Sequence, residues 1–434
     1  LIDWLRMLYR NITYTVRLGQ ETSPTFKSHA GILIGDPASP LLWILYMSDL
    51  RISPRPDDVH LAGQPYSHHE QADDIALASL AQAGHGLQFK IDELLEWCRV
   101  NFMILNAIKT VCIAFGRLPR VLPTFYAGTQ PLRFVTEYTY VGVTFSSAHP
   151  DLFAAHRENK AKTARRMAAA IFALEAYVRD IPATAARTLY HARLDPHLIH
   201  GAEIAPDARS TCLTELTGVQ HSYLRRMLGL NSHSLLPPLY SETGIDPLPF
   251  RRADCTLRYL LYVLQQKPEI PFAALSEALI LARSGKPSLI SDLKLALRRL
   301  DPPVEFDYYE DFTPALLGDL RTRLTAAVST HVTTGISACV RLPLLHRRVE
   351  YSPADGKPIK QAVRFRGYLT IEDANHRKAL CRLICGDHPF AVEQCRRFSL
   401  PDDSGDHIPY DWRICRFCRR QGCIEDEAHV LLSC

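Results

Sequence analysis

The sequence contains no apolar run long enough to span a bilayer and shows no secretory signal, so no membrane partner is expected. It has no repeat at a fixed period, which argues against a solenoid. It also lacks a strong charge of either sign: 50 Lys and Arg stand against 46 Asp and Glu, a net charge of +4. Any nucleic-acid surface must then come from local clustering rather than total charge. A disulfide framework is missing too. The 12 cysteines are scattered, and the dense cluster among them has metal-ligand spacing, which points to a reducing compartment. The first residue is Leu rather than Met, and residues 1–9 read as a helix already in progress with no cap before it. This sets the expectation of a fragment.

What is present is ordinary for a globular protein, with 47% hydrophobic and 22% charged residues. A length of 434 residues accommodates two or three domains with a sizeable core.

The most informative stretch is Ser67-His68-His69-Glu70-Gln71-Ala72-Asp73-Asp74-Ile75-Ala76-Leu77. Two adjacent carboxylates sit between a hydrogen-bonding polar segment and an apolar run. Asp is a poor strand-interior residue and a good turn residue. The pattern therefore predicts a strand, a tight turn carrying Asp73 and Asp74, and a second strand returning beside the first. Two hard oxygen ligands on a short turn suit Mg2+, which takes carboxylates and keeps other positions for water and phosphate.

Upstream lies Gly31-Ile32-Leu33-Ile34-Gly35-Asp36-Pro37-Ala38-Ser39-Pro40. Ser39 is a good N-cap and Pro40 suits the first helical position, so a helix is expected to start here. Gly31 and Gly35 lie in the preceding loop, where backbone can approach a ligand closely. Downstream come Trp97-Cys98, Asn101, Asn106, Lys109 and Thr110, then Tyr140-Val141-Gly142-Val143. Residues 93–100 repeat at helical spacing, and Leu94, Leu95 and Trp97 are expected in the core together with Phe102 and Ile104. On residue type alone Lys109 reads as a solvated loop lysine, and residues 140–145 read as a strand.

In that order these four blocks resemble the palm of a reverse transcriptase of the non-LTR (LINE-type) retrotransposon family. The family pattern reads roughly G-x-x-Q-G-D-P-x-S-P, then Y/F-A-D-D, then W-C-x-x-N-x-L-x-L-N-x-x-K-T, then Y-L-G-V. Each block is modest, but their order and spacing together are specific. The resemblance implies RNA-directed DNA synthesis, with an RNA template, a DNA primer and dNTP as partners and a nuclear location following from that substrate. Two Mg2+ ions held by carboxylates would activate the primer 3′-hydroxyl and neutralise the pyrophosphate. Asp73 and Asp74 would be the metal-binding catalytic carboxylates, and Lys109 would be a catalytic proton donor to pyrophosphate or a phosphate contact. Gly35, Asp36, Pro37, Ser39, Gln71, Asn106, Tyr140 and Gly142 would line the substrate, and residues 140–145 would form the primer grip.

The chain departs from the family pattern in three places. The family's first catalytic Asp, in an F-x-D-x-x-x-A-F-D-like strand, has no counterpart here, and Asp3 has the wrong surroundings to replace it. Weak Mg2+ binding and little or no polymerase activity are therefore expected. Gln71 stands where the family has Tyr or Phe, and Ile34 where it has Gln. Lineage variation and decay both account for those two.

From residue 151 the pattern turns helical. Met167, Ile171, Leu174 and Val178 mark one apolar face. Arg157, Lys160, Lys162, Arg165 and Arg166 form a basic stripe suited to a template–primer backbone. Gly229 fits a helix C-cap, residues 232–249 read as a connector, and helices are expected near 253–265, 273–282, 289–300 and 315–328. The chain closes on Cys415-x2-Cys418-x10-His429-x4-Cys434, whose three thiolates and one imidazole make a tetrahedral, structural Zn2+ site. Cys423 is a competing ligand within it. Arg413, Arg416, Arg419 and Arg420 interleave with Trp412 and Phe417, a mixture suited to phosphates and stacked bases.

The expected architecture is α+β. A partial right-hand polymerase palm with an antiparallel sheet is expected over residues 1–150 and a helical thumb over 151–231. A helical C-terminal region follows over 232–410, and a CCHC zinc knuckle over 411–434. The competing expectation is a non-catalytic nucleic-acid-binding remnant that keeps only thumb and knuckle.

Overall fold

Turn residues punctuate the first third of the chain so densely that no strand there exceeds four residues among those described. The structure is a computed structural model. It describes residues 2–27, 31–33, 35–80, 84–116, 120–209, 211, 213–346, 348–349, 351, 356, 362–398, 407–420 and 422–434. Ile34 lies outside them. Two compact units divide the chain, Leu1–Phe134 and Val135–Cys434. No described helix is long and apolar enough to cross a membrane.

The first unit opens with α1 (Ile2–Asn11), the short pair β1 (Arg17–Leu18) and β2 (Glu21–Thr22), and α2 (Ser39–Met47). Two hairpins follow, β3 (Val59–Leu61) with β4 (Gln64–Tyr66) and β5 (His68–Gln71) with β6 (Asp74–Leu77). Then come α3 (Gly84–Val100), β7 (Val111–Cys112), β8 (Tyr126–Ala127), β9 (Gln130–Pro131) and β10 (Arg133–Phe134). One face of α3 serves two small cores. Leu94 and Cys98 pack with Met47, Leu50, Ile52 and β6, while Ile91 packs with Cys112, Phe125 and Leu132.

A single antiparallel palm sheet was expected. The described strands instead form six separate two-stranded ladders, and the β7–β10 ladder is parallel. Pro65 and Pro131 remove ladder donors within their strands. Phe102 and Ile104 also differ from expectation, being 97% and 94% exposed. Phe102 takes the left-handed cap position after α3 (φ 57°), with Met103 N–H donating to Cys98 O at 2.8 Å, and the chain turns outward there.

In the second unit, residues 140–145 are not one strand. They belong to a hairpin of β11 (Glu137–Tyr140) and β12 (Val143–Ser146), because Val141 and Gly142 both have positive φ (47° and 79°) and reverse the chain. Helices follow: α4 (Ala154–Ala173), α5 (Glu175–Val178), α6 (Ala183–Leu189), α7 (Asp195–Ile199) and α8 (Thr214–Leu228). Next are α9 (Pro237–Thr243), α10 (Leu248–Gln266), α11 (Glu269–Arg283), α12 (Leu289–Arg298) and α13 (Pro314–Ser337), and last α14 (Ala374–Ile384) and α15 (Ala391–Gln394). Gly229 caps α8 in the left-handed conformation, as expected. The four helices expected beyond residue 250 are α10–α13. Ser288 and Thr313 cap α12 and α13 through side-chain oxygens.

One core joins Ala161, Ala164 and Ile171 of α4 to Tyr190, Tyr223, Leu224 and Leu239, and another joins α10 to α13. The expected apolar face of α4 is cut short. The helix ends at Ala173, leaving Leu174 and Val178 exposed. The expected connector at 232–249 is also corrected, since it contains α9, buried from Pro238 to Thr243. At its end Glu242 is fully buried and takes both forks of Arg348 at 2.7 and 3.0 Å, with Tyr368 Oη donating at 2.9 Å.

Candidate acidic turn and metal centre

The β5–β6 hairpin pairs Gln71 with Asp74, which leaves Ala72 and Asp73 as a two-residue turn. Asp73 thus sits at the tip and Asp74 begins the returning strand, both exposed. Ala72 adopts φ 54°, a conformation that favours glycine. The turn is held from below. Trp43 Nε1–H donates to Ala72 O at 2.8 Å. Trp43 in turn lies 5.7 Å from the Tyr46 ring, and Tyr46 meets Trp97 edge-on at 5.9 Å. Trp97 Nε1–H donates to Asp49 Oδ1 at 3.0 Å. Helix α2 therefore presents the Trp43 N–H that fixes the acidic turn, and Trp97 of α3 supports it through the Tyr46 ring. The only hint in the sequence was indole and phenol groups, which need partners when half-buried.

The other expected site residues are placed one by one. Asp36 O accepts from Ser39 N–H at 3.1 Å, and Asp36 Oδ1 from Ala38 N–H at 3.4 Å, so Asp36 and Pro37 shape the entry to α2. Ser39 is not the N-cap. Ala38 occupies that position, and the buried Ser39 hydroxyl has no partner among the described residues. Gly35 has φ 87° and Gly31 φ 102°, so both supply backbone reversal. Gln71 is exposed. Asn106 accepts from Lys109 N–H at 3.1 Å and holds a local turn, while the Lys109 side chain is exposed. Among the described residues no hydrogen bond or ion pair joins Lys109 to the acidic turn. In the second unit, Tyr140 pairs with Val143 across the hairpin, and a Cβ on Gly142 would lie 3.4 Å from His200 Nε2.

Asp73 and Asp74 offer two carboxylates suited to Mg2+ chemistry. Among the described residues, however, no third His, Cys, Asp or Glu converges with them. The turn alone does not make a closed Mg2+ site.

The expected basic stripe on α4 is found in part, with Lys162, Arg165 and Arg166 exposed. Arg157 is buried and pairs with Asp151 at 2.7 Å and Asp207 at 3.1 Å. Lys162 pairs with Glu158 at 2.6 Å, and Arg165 with Glu215. Intramolecular carboxylates therefore already compensate most of that charge.

At the other end of the chain, the Sγ atoms of Cys415, Cys418 and Cys434 and a ring nitrogen of His429 lie within 4.8 Å of one another. Cys415 Sγ is 3.9 Å from Cys434 Sγ, and Cys418 Sγ is 3.3 Å from His429 Nε2. A tetrahedral Zn2+ with bonds of about 2.3 Å to sulfur and about 2.0 Å to nitrogen spaces its donors roughly 3.5–3.8 Å apart, so this donor set fits zinc. A tight turn brings the first two thiols together. Cys415 N–H donates to Cys423 O at 2.8 Å, and Arg419 (φ 51°) and Gly422 (φ 82°) reverse the chain. Asp426 Oδ1 accepts from His429 N–H at 2.8 Å and starts the helical turn that presents His429. A backbone N–H from Arg420 holds the Cys418 thiol below its usual range, favouring the thiolate a metal takes. Cys423 is not one of the four converging donors, and its side chain lies close enough to interact with the Cys418 thiol. Four protein donors leave no open position, so a bound Zn2+ would be structural.

Arg413 and Arg416 are not free phosphate ligands. Arg413 is buried and donates to Val392 O at 2.8 Å and Ile408 O at 2.8 Å. Arg416 is held by the fully buried Glu425 at 2.6 Å. Glu425 also accepts from Ala391 N–H at 3.1 Å, and Glu427 meets His388 at 2.8 Å, so these groups dock the knuckle on α15. What remains outside is Trp412, Phe417, Arg419 and Arg420, all exposed. Comparison with protein-family models found no match, and comparison with curated proteins found none either.

Proposed function

We propose that the chain handles nucleic acid as a polymerase-type protein of the non-LTR (LINE-type) reverse transcriptase family, with an RNA template, a DNA primer and dNTP as its substrates. The observation that carries this reading is the acidic turn itself. Asp73 stands at a two-residue tip beside Asp74, on a turn whose strained Ala72 is pinned by Trp43. Strained backbone held by its surroundings clusters at functional sites. A complete Cys3His donor set with an exposed Trp412–Phe417–Arg419–Arg420 surface adds a second place for phosphates and stacked bases. A nuclear location follows from such a substrate.

In this reading Asp73 and Asp74 are the carboxylates of nucleotidyl transfer, and Lys109, Gln71 and Asn106 face the nucleotide. Since no third donor joins the pair among the described residues, the chain by itself is expected to hold Mg2+ poorly. The expected result is that the full chain binds an RNA template–DNA primer hybrid and extends the primer little or not at all. Robust Mg2+-dependent extension, lost in Asp73→Asn, would contradict the expected weakness. Absence of hybrid binding would remove the family reading altogether.

A second reading, a non-catalytic nucleic-acid-binding protein, draws on the same contrast. The zinc donors are complete where the acidic pair is not. Hybrid binding unchanged by Mg2+ or by Asp73→Asn favours it.

A further inference from the structure

A solvent-open hollow of about 510 Å3 lies beside the C-terminal end of α8. Arg225, Arg226, Lys378 and Arg382 line it, with Glu175 the carboxylate among the lining residues. Two of these cations are already matched. Arg226 pairs with Glu175 at 2.7 Å and Lys378 with Asp180 at 2.6 Å. The other two are not. Arg225 donates Nε–H to the Ser234 hydroxyl at 3.2 Å and Nη2–H to the Ser234 carbonyl at 2.8 Å. Arg382 donates Nε–H to the Gly229 carbonyl at 2.8 Å. Neither forms an ion pair among the described residues. Asp387, an acidic neighbour of Arg225, has its two oxygens on Asn231 at 2.6 and 2.8 Å.

Cations gather at helix C-termini because unpaired carbonyls and the helix dipole attract them. That need is largely met here by backbone. Gly229 N–H donates to Arg226 O at 3.1 Å and Leu230 N–H to Arg225 O at 2.9 Å. Four cations exceed what the remaining carbonyls require. Arg225 is also half-buried, which disfavours an unpaired charge. An oxyanion in the hollow would supply the missing counter-charge, and a guanidinium fork matches the geometry of phosphate oxygens.

We infer that this hollow binds a phosphate group between the Arg225 and Arg382 guanidinium groups. The phosphate belongs either to a single-stranded nucleic acid or to a free nucleoside triphosphate. The inference rests on neither the acidic turn nor the polymerase reading. The test uses the full, zinc-loaded chain, with fluorescence anisotropy of a labelled single-stranded RNA and of a labelled ATP analogue. Arg382→Gln and Arg225→Gln are compared with Arg258→Gln, an exposed arginine on α10 that matches the charge change. Thermal unfolding verifies that each variant folds. If Arg225→Gln is unstable, Arg382→Gln alone decides.

For a strand, Arg382→Gln should weaken RNA binding about 5- to 10-fold and flatten the log–log salt slope by about 0.7 per lost phosphate contact, with Arg258→Gln near wild type. Loss confined to the ATP analogue assigns the phosphate to a free nucleotide. Equal binding of both probes by wild type and Arg382→Gln, or no binding of either, overturns the inference and leaves helix capping as the cations' role. Hybrid binding by the wild-type chain, with RNA and ATP binding both unchanged in Arg382→Gln, would sink the hollow but not the proposed function. ATP binding lost in Arg382→Gln without any hybrid binding would do the reverse.

Discussion

Ala72 shows how one residue reports on a site. A β-carbon at φ 54° is disfavoured by about 1–2 kcal/mol relative to the ordinary regions, and Trp43 grips the same residue's carbonyl. Ala72→Gly keeps that carbonyl and removes the strain, offset partly by the greater freedom of Gly in the unfolded chain. A gain of about 0.5–1 kcal/mol is expected in urea unfolding followed by tryptophan fluorescence, and a loss of stability would mean that the turn is built otherwise. At the knuckle, His429→Ala removes one of four donors. Zinc content, read by a chromophoric chelator, should fall from one ion per chain to well below one. Unchanged stoichiometry would show that another donor closes the site. The acidic turn and the zinc donors were legible because each depends on residues close in sequence. Trp43 was not, since its partner lies 29 residues away. Nor was Glu425, a carboxylate that its charge would place in solvent but that two short backbone and guanidinium contacts bury.

At the level of elements, the buried His156 and the half-buried His221 tie α4 and α8 to their neighbours. His156 on α4 accepts from Thr144 N–H at 3.2 Å and donates through Nε2 to His200 O at 3.1 Å, so both ring nitrogens are committed in the neutral form. Burial lowers its pKa from 6.5 to about 4, and burial does the same to His221 on α8. Both folded values lie below the unfolded value, so their contribution is complete above pH 6.5 and is lost as pH falls toward 4. For His156 the loss is on the order of 3 kcal/mol. Urea midpoints of the second unit's unfolding should drop between pH 7 and pH 4.5, and less so in His156→Gln. An equal drop in that variant would assign the acid sensitivity to other groups. Gly244 ends α9 at φ 66°, and a Cβ there would overlap the backbone of Arg364 and Phe365. Gly244→Ala is expected to lose more than about 2 kcal/mol, and full wild-type stability would contradict that packing. Helices α10–α13 could be read from the Pro- and Gly-containing breaks that separate them. The misreading of α9 as a connector and of Arg157 as part of an open stripe has one cause. Their partners, Arg348 for Glu242 at a separation of 106 residues and Asp207 for Arg157 at 50, come from distant segments that no local pattern encodes.

For the whole molecule, the proposed function makes the acidic turn of the first unit and the zinc knuckle and cationic surfaces of the second parts of one nucleic-acid-handling protein. A net charge of only +4 means that binding must come from a few placed cations, many of which pair with internal carboxylates. The most direct test titrates the full, zinc-loaded chain against a labelled RNA template–DNA primer hybrid over a range of salt concentrations. The account predicts binding at low salt whose logarithm falls with the logarithm of salt at a slope steeper than about −2, the signature of three or more neutralised phosphates. Failure to bind the hybrid at low salt, or binding indifferent to salt, would contradict it.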